Sequence, residues 1–155
     1  MRLAALPLIA LALTACGSSA GRLSKAEYTK RLQEIERRDE TATSPFFDIA
    51  GHDLPLELCV RETRDLQRAV QKIVDDARAL KPPAELARYH EDFLVNAQQS
   101  VDAVGAAADK VQNGKLRCGD EMNRAIYGMP STDRAEKALQ DLADHGVPLC
   151  ITTCE

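Results

Sequence analysis

The sequence predicts an all-α domain, an up-down antiparallel bundle of about four helices. Three observations lead there. Apolar residues recur at helical spacing along four long stretches, and no run shows the convincing alternation of a half-buried strand. Breakers such as Pro45, Pro82, Pro83, Gly114, Gly128 and Gly146 stand at the ends of those stretches. The turns they mark are short, and short turns between long helices lay successive helices side by side in opposite directions.

The first helix starts at Ser24-Lys25-Ala26-Glu27, a capping box, with Leu23 and Tyr28 spaced as a hydrophobic staple. Tyr28, Leu32 and Ile35 follow at i, i+4 and i+7, and Pro45 is expected to stop the helix near residue 43. Phe46, Phe47 and Ile49 then read as a loop ending at Gly51-His52-Asp53. Asp53 is placed to cap a second helix with Pro55 in its first turn. Along it Cys59, Leu66, Ile73 and Leu80 repeat every seven residues, with Val70 and Ala77 between them. Lys81-Pro82-Pro83 breaks that helix and opens the next.

The third helix carries the clearest stripe in the chain: Leu86, His90, Phe93, Ala97, Val101, Val104, Ala108 and Val111. Gly114 is its expected C′ residue. A short helix over Asp120–Tyr127 follows, closed by Gly128 and Pro130. Ser131 or Thr132 then caps a last helix that turns Ala135, Ala138, Leu139 and Leu142 inward. Gly146, with Leu142 at C3 and Val147 at C″, predicts a Schellman stop.

The start of the chain gives an address. Met1 and Arg2 form a cationic head, and Leu3–Leu13 an apolar run too short to span a bilayer as a permanent helix, which needs roughly 20 residues. Leu13-Thr14-Ala15-Cys16 resembles the lipobox of bacterial lipoproteins. That resemblance implies cleavage before Cys16, a thioether to diacylglycerol on its sulfur, and a further acyl group such as palmitate on its new amine. Two or more chains anchor stably, each buried CH₂ contributing about 0.8 kcal/mol. The chain then divides into a signal peptide, 1–15, a lipidated cysteine with a short linker, 16–22, and one bundle domain, 23–155. The linker, Gly17–Arg22, reaches about 20 Å at full stretch, so the bundle is expected close to the membrane. The expected location is the outer face of the cell membrane, or the outer membrane where the organism has one. Leu80-Lys81-Pro82-Pro83-Ala84, with His90 beyond it, is similar to a segment of small helical actinobacterial lipoproteins of unknown function, and implies no activity.

The formal charge is −4, and losing Arg2 with the signal peptide makes it −5. An acidic chain with interspersed charges has no electrostatic basis for nucleic-acid binding. Cys59, Cys118, Cys150 and Cys154 remain in the domain, an even number in an exported chain, which favours two disulfides. Four cysteines allow three connectivities. The favoured one pairs Cys59 with Cys118, because the loop after the third helix can fold back over the start of the second, and leaves Cys150 with Cys154 as a small ring.

Chemistry-bearing residues are sparse. His90 sits on an apolar stripe, either as a metal or cofactor ligand or as a core-edge histidine satisfied by a neighbouring helix. Asp141 and His145 share a helix face, as half of a metal site or with His145 as a C-terminal cap. Gly105 interrupts the third helix, for close helix packing or for room around a ligand. Phe46 and Phe47, expected at the end away from the membrane, either contact a partner or cap the core. Glu-x-x-His, CxxC, CxxCH, HExxH and P-loop motifs do not occur. The expectation is a lipid-anchored, non-enzymatic binding or scaffold module of the envelope without a cofactor, meeting membrane lipid through Cys16 and an envelope protein or small ligand. The alternative is a metal- or cofactor-binding bundle centred on His90.

Overall fold

Five α-helices and one 3-10 turn make up residues 21–49 and 54–148, the part of the chain that the computed structural model describes, and no strand occurs among these residues. The helices are α1 (Lys25–Ile49), α2 (Leu56–Arg78), α3 (Ala87–Gln112), α4 (Asp120–Tyr127) and α5 (Pro130–Asp144), with the 3-10 turn at Ala84–Leu86 leading into α3. They form a helical bundle in which α3 is central, packing on α2, α5 and α4, while α1 lies along α2.

Local chemistry accounts for most boundaries. The Ser24 hydroxyl accepts the Glu27 backbone N–H at 3.3 Å and donates to the Glu27 carboxylate at 3.2 Å. Leu23 packs on the core cluster that contains Tyr28, as a staple should. Gly114 and Gly146 both have positive φ, 68° and 78°. In each case the next residue reaches back in a Schellman bond: Lys115 N–H to the Lys110 carbonyl at 2.8 Å, and Val147 N–H to the Leu142 carbonyl at 3.1 Å.

Three boundaries and one stripe differ from expectation. Pro45 does not end α1, which stays helical to Ile49. A proline removes its own N–H from the ladder and its ring crowds the carbonyl four residues back, but Phe46 just beyond it is buried at 5 % exposure. Burying a phenylalanine contributes about 1.5–3 kcal/mol, enough to offset most of the roughly 3 kcal/mol proline penalty. The second helix begins at Leu56 with Pro55 as N-cap, and Asp53 lies outside the described residues. Met129, not Ser131 or Thr132, is the N-cap of α5, because Pro130 at the next position is already suited to a first helical turn. Along α2 the fully buried residues are Cys59, Thr63, Leu66, Val74 and Ala77, with Ile73 only half-buried. A seven-residue repeat drifts about 20° per heptad around a straight helix, so the buried line moves from Ile73 to Val74.

The eight-residue stripe of α3, from Leu86 to Val111, is buried throughout. Leu94, Gly105 and Ala107 are buried as well, since α3 has neighbours on more than one face. Two core clusters lie along the bundle. One draws on Tyr28, Leu32, Ile35, Val74, Leu86, Phe93, Leu142 and Val147. The other draws on Phe46, Cys59, Leu66, Val104, Val111, Met122 and Ile126.

The described chain enters beside the first cluster, where Leu23 N–H donates to the Lys81 carbonyl at 2.9 Å. The end of α5 arrives at the same level: Gln33 Nε2 donates to the Pro148 carbonyl at 2.7 Å. This entry end therefore gathers the start of α1, the end of α2, the start of α3 and the end of α5. At the distal end Cys59 and Cys118 form a disulfide, with their Cα atoms 6.2 Å apart. Cys150 and Cys154 lie outside the described residues.

Candidate functional site

The entry end holds the polar groups with most chemical interest, and His90 is the first of them. It sits one turn into α3 on the stripe that faces the core, which leaves it 4 % exposed. The Tyr28 hydroxyl lies 2.9 Å from its Nδ1, and the two rings meet edge to face at 5.6 Å. A capping box at Ser24 and a staple through Leu23 fix where α1 begins, so Tyr28 is carried to His90 by the start of that helix. Burial lowers the imidazole pKa from its ordinary value, partly countered by the Glu91 carboxylate, so the ring is held neutral. Burial also raises the Tyr28 phenol, which keeps its proton and can donate it. When that hydroxyl donates to Nδ1, the ring proton sits on Nε2.

His90 is thus the core-edge histidine satisfied by a neighbouring helix. A metal ligand would need companions, and among the described residues no three His, Cys, Asp or Glu side chains gather around a common point. Of the two readings of Asp141 and His145, half a metal site or a C-terminal cap, the contacts support the cap. The Asp141 carboxylate pairs with Lys137 Nζ at 2.9 Å. His145 Nδ1 lies 2.7 Å from the Asp141 carbonyl at the end of α5, and its ring packs on Tyr89 at 4.0 Å. His145 is a helix cap.

Gly105 makes room for packing rather than for a ligand. A Cβ there would lie 2.4 Å from Gln67 Nε2, the side chain of α2 that crosses it. Arg64 fastens this crossing, donating to Gln67 Oε1 at 2.9 Å and to the Gly105 carbonyl at 3.3 Å, and pairing with Asp109. Of the two readings of Phe46, partner contact or core cap, the structure gives the second, since it is part of the distal core. Its spacing from Thr43 continues the buried face of α1, which the premature stop at Pro45 concealed. The Phe47 side chain lies outside what the structure describes, as does Cys16.

Beside His90 opens a pocket of about 410 Å³. Arg22, Arg78, Lys81, His90 and Glu91 supply its polar lining, and Leu80, Pro82 and Leu94 much of its apolar wall. A second depression of about 430 Å³ adjoins it along α3, sharing Arg78, Glu91 and Leu94 and running past Val95, which is 48 % exposed, to Gln98 and Gln99. The sequence gives little warning of this pocket. Its cations come from the linker and from Arg78 and Lys81, three residues apart at the end of α2 and the corner after it, and no spacing rule links the linker to that corner. The corner itself, a cation beside two prolines between helices, was the available signal.

No family model, curated protein or solved structure matches the chain.

Proposed function

We propose that the chain is an extracytoplasmic lipoprotein, held at the membrane by acylated Cys16, whose helical bundle works as a non-enzymatic binding or scaffold module of the cell envelope. The observation that carries this reading is Leu13-Thr14-Ala15-Cys16 at the end of an apolar run with a cationic head. Among the described residues no helix is long and apolar enough to cross a membrane. An anchor at Cys16 would hold the bundle by its entry end, since the short linker leads to Leu23 and thence to the Lys81 carbonyl. The distal end would then face outward, carrying the Cys59–Cys118 bridge into an oxidising compartment. The bundle interior is taken up by the two apolar clusters and by the Tyr28–His90 pair, which favours recognition at the surface over chemistry inside.

Mass spectrometry of the protein from its own host tests the reading. The expected N-terminus is Cys16 carrying diacylglycerol, and Cys16→Ser should move the protein out of the membrane fraction. An intact, lipid-free N-terminus overturns it.

A further inference from the structure

We propose that the pocket at the entry end binds a phosphodiester anion, and that its occupant is the headgroup of an anionic phospholipid in the membrane to which the chain is anchored. The inference deepens the lipoprotein reading, on which the position of the pocket against the membrane rests.

Charge placement is the first argument. In a chain of net charge −4, Arg22 from the linker joins Arg78 and Lys81, at the end of α2 and the corner after it, around one pocket. Along α2 the cations Arg61, Arg64, Arg68 and Lys72 are each matched by a carboxylate. At the pocket only Arg78 is, through Asp75 at 2.8 Å. Arg22 reaches the Pro82 carbonyl at 3.4 Å, and neither it nor Lys81 has a carboxylate within ion-pair distance among the described residues. Three cations against the one lining carboxylate, Glu91, leave the pocket net positive, which suits a singly charged anion.

The remaining lining selects among anions. Glu91 contributes one carboxylate, which repels a polyanion but accepts hydrogen bonds from hydroxyl or ammonium groups next to a singly charged phosphodiester. Leu80, Pro82 and Leu94 give the pocket an apolar wall, and its volume of about 410 Å³ lies in the range of small-molecule sites, roughly 300–1,000 Å³. A glycerophosphate headgroup matches each of these: one negative charge, neighbouring hydroxyls and a carbon skeleton. Location supplies the last argument. Arg22 ends the six-residue linker that follows Cys16, so an anchored chain keeps these cations within about 20 Å of the membrane, in reach of its headgroups.

Every core residue described lies between Leu23 and Val147, so the chain from Gly17 onward holds the whole of the packing and serves as a soluble probe without Cys16. It should sediment with vesicles of equal parts phosphatidylglycerol and phosphatidylcholine, and not with pure phosphatidylcholine. Arg22→Ala and Lys81→Ala should each weaken that partition by about fivefold, the effect of one cation near an anionic surface. Lys115→Ala, in the loop at the distal end, should leave it unchanged. Equal weakening by Lys115→Ala overturns the proposal, because attraction is then diffuse. If inorganic phosphate or glycerophosphoglycerol shifts the amide resonances of the Lys81 corner while vesicles are not bound, the lipid occupant is overturned and a soluble phosphate takes its place. Since the probe lacks Cys16, a failure here leaves the anchor reading standing, and a lipid-free Cys16 in the host leaves the measured headgroup affinity standing.

Discussion

The two ends of the bundle are closed by different means. At the entry end four long helices converge, and residues from α1, α2, α3 and α5 share one core, with the 3-10 turn adding Leu86. Closure there is by packing, by a Schellman turn at Gly146 and by one buried polar pair, Tyr28 with His90. The distal end has α4 in place of a long fourth helix. That helix spans only Asp120–Tyr127, too short to persist by its own hydrogen bonds, and it packs mainly on α3. Met122 and Ile126 are its buried residues. Here the chain adds covalent closure: Cys118, just before α4, bridges to Cys59 at the start of α2. The Glu121 carboxylate helps by accepting from the Arg117 Nε at 3.0 Å and backbone N–H at 3.3 Å, which draws the Cys118 loop onto the helix. A bundle short of helical length at one end is completed there by a bond.

Breaking that bond is the most direct way to test the contrast. The bridge joins residues 59 apart in sequence, and on the chain-entropy account a loop of that size is worth about 4 kcal/mol. Reduction, or Cys59→Ala with Cys118→Ala, should lower the unfolding free energy by about that amount in urea titration. Hydrogen exchange should show where the loss falls first. Amides of α4 and the start of α2 should lose protection ahead of those around Tyr28 and Leu142. Uniform loss of protection along the bundle would mean that the two ends are not separately closed.

The entry end has its own weak point. Tyr28→Phe keeps the ring but leaves His90 Nδ1 buried without a partner, at an expected cost of about 1–3 kcal/mol. The same pair sets a pH dependence. Folding lowers the His90 pKa below its ordinary 6.5, so below that pH the unfolded chain binds the extra proton more readily. The stability of the neutral buried ring is therefore complete above pH 6.5 and is lost as pH falls from 6.5 toward the depressed folded value. His90→Gln retains an acceptor for Tyr28 and cannot titrate. Its stability should fall less steeply over that interval than that of the unaltered protein, while carboxylates elsewhere contribute equally to both curves. Parallel curves would show that His90 is not the titrating group.

Helix identity and the main buried stripe were legible in the sequence because both are local. The stripe of α3 from Leu86 to Val111, the glycine stops at 114 and 146, and the pairing of Cys59 with Cys118 follow from spacing, turn chemistry and chain direction. The helical course through Pro45 was not legible, since it depends on the distal core receiving Phe46, a tertiary gain that no local rule contains. Nor was the partner of His90. That some neighbouring helix would satisfy it was a fair inference, but that Tyr28 does so depends on how far α1 extends past the Lys81 corner. The pocket was least legible of all. Arg22 lies more than fifty residues from Arg78 and Lys81 in sequence, and each alone is an ordinary surface cation.

Gly105 marks the level where the two core clusters meet along α3, and it gives the smallest of the expected effects. An alanine there gains helix propensity of about 0.8–1 kcal/mol over glycine, but its Cβ would overlap the Gln67 side chain. Gln67 is flexible and can swing away only by releasing Arg64, which it accepts at 2.9 Å. Gain and loss should nearly cancel, so Gly105→Ala alone is expected to leave stability within about 0.5 kcal/mol of the original. In a Gln67→Ala background the three atoms nearest the new Cβ are gone. There the same substitution should stabilise by close to the full propensity difference, and the double-mutant cycle in urea should return a coupling of at least 0.5 kcal/mol. Additive effects would mean that helix crossing does not select the glycine, and would reopen this face of α3 as space for something other than α2.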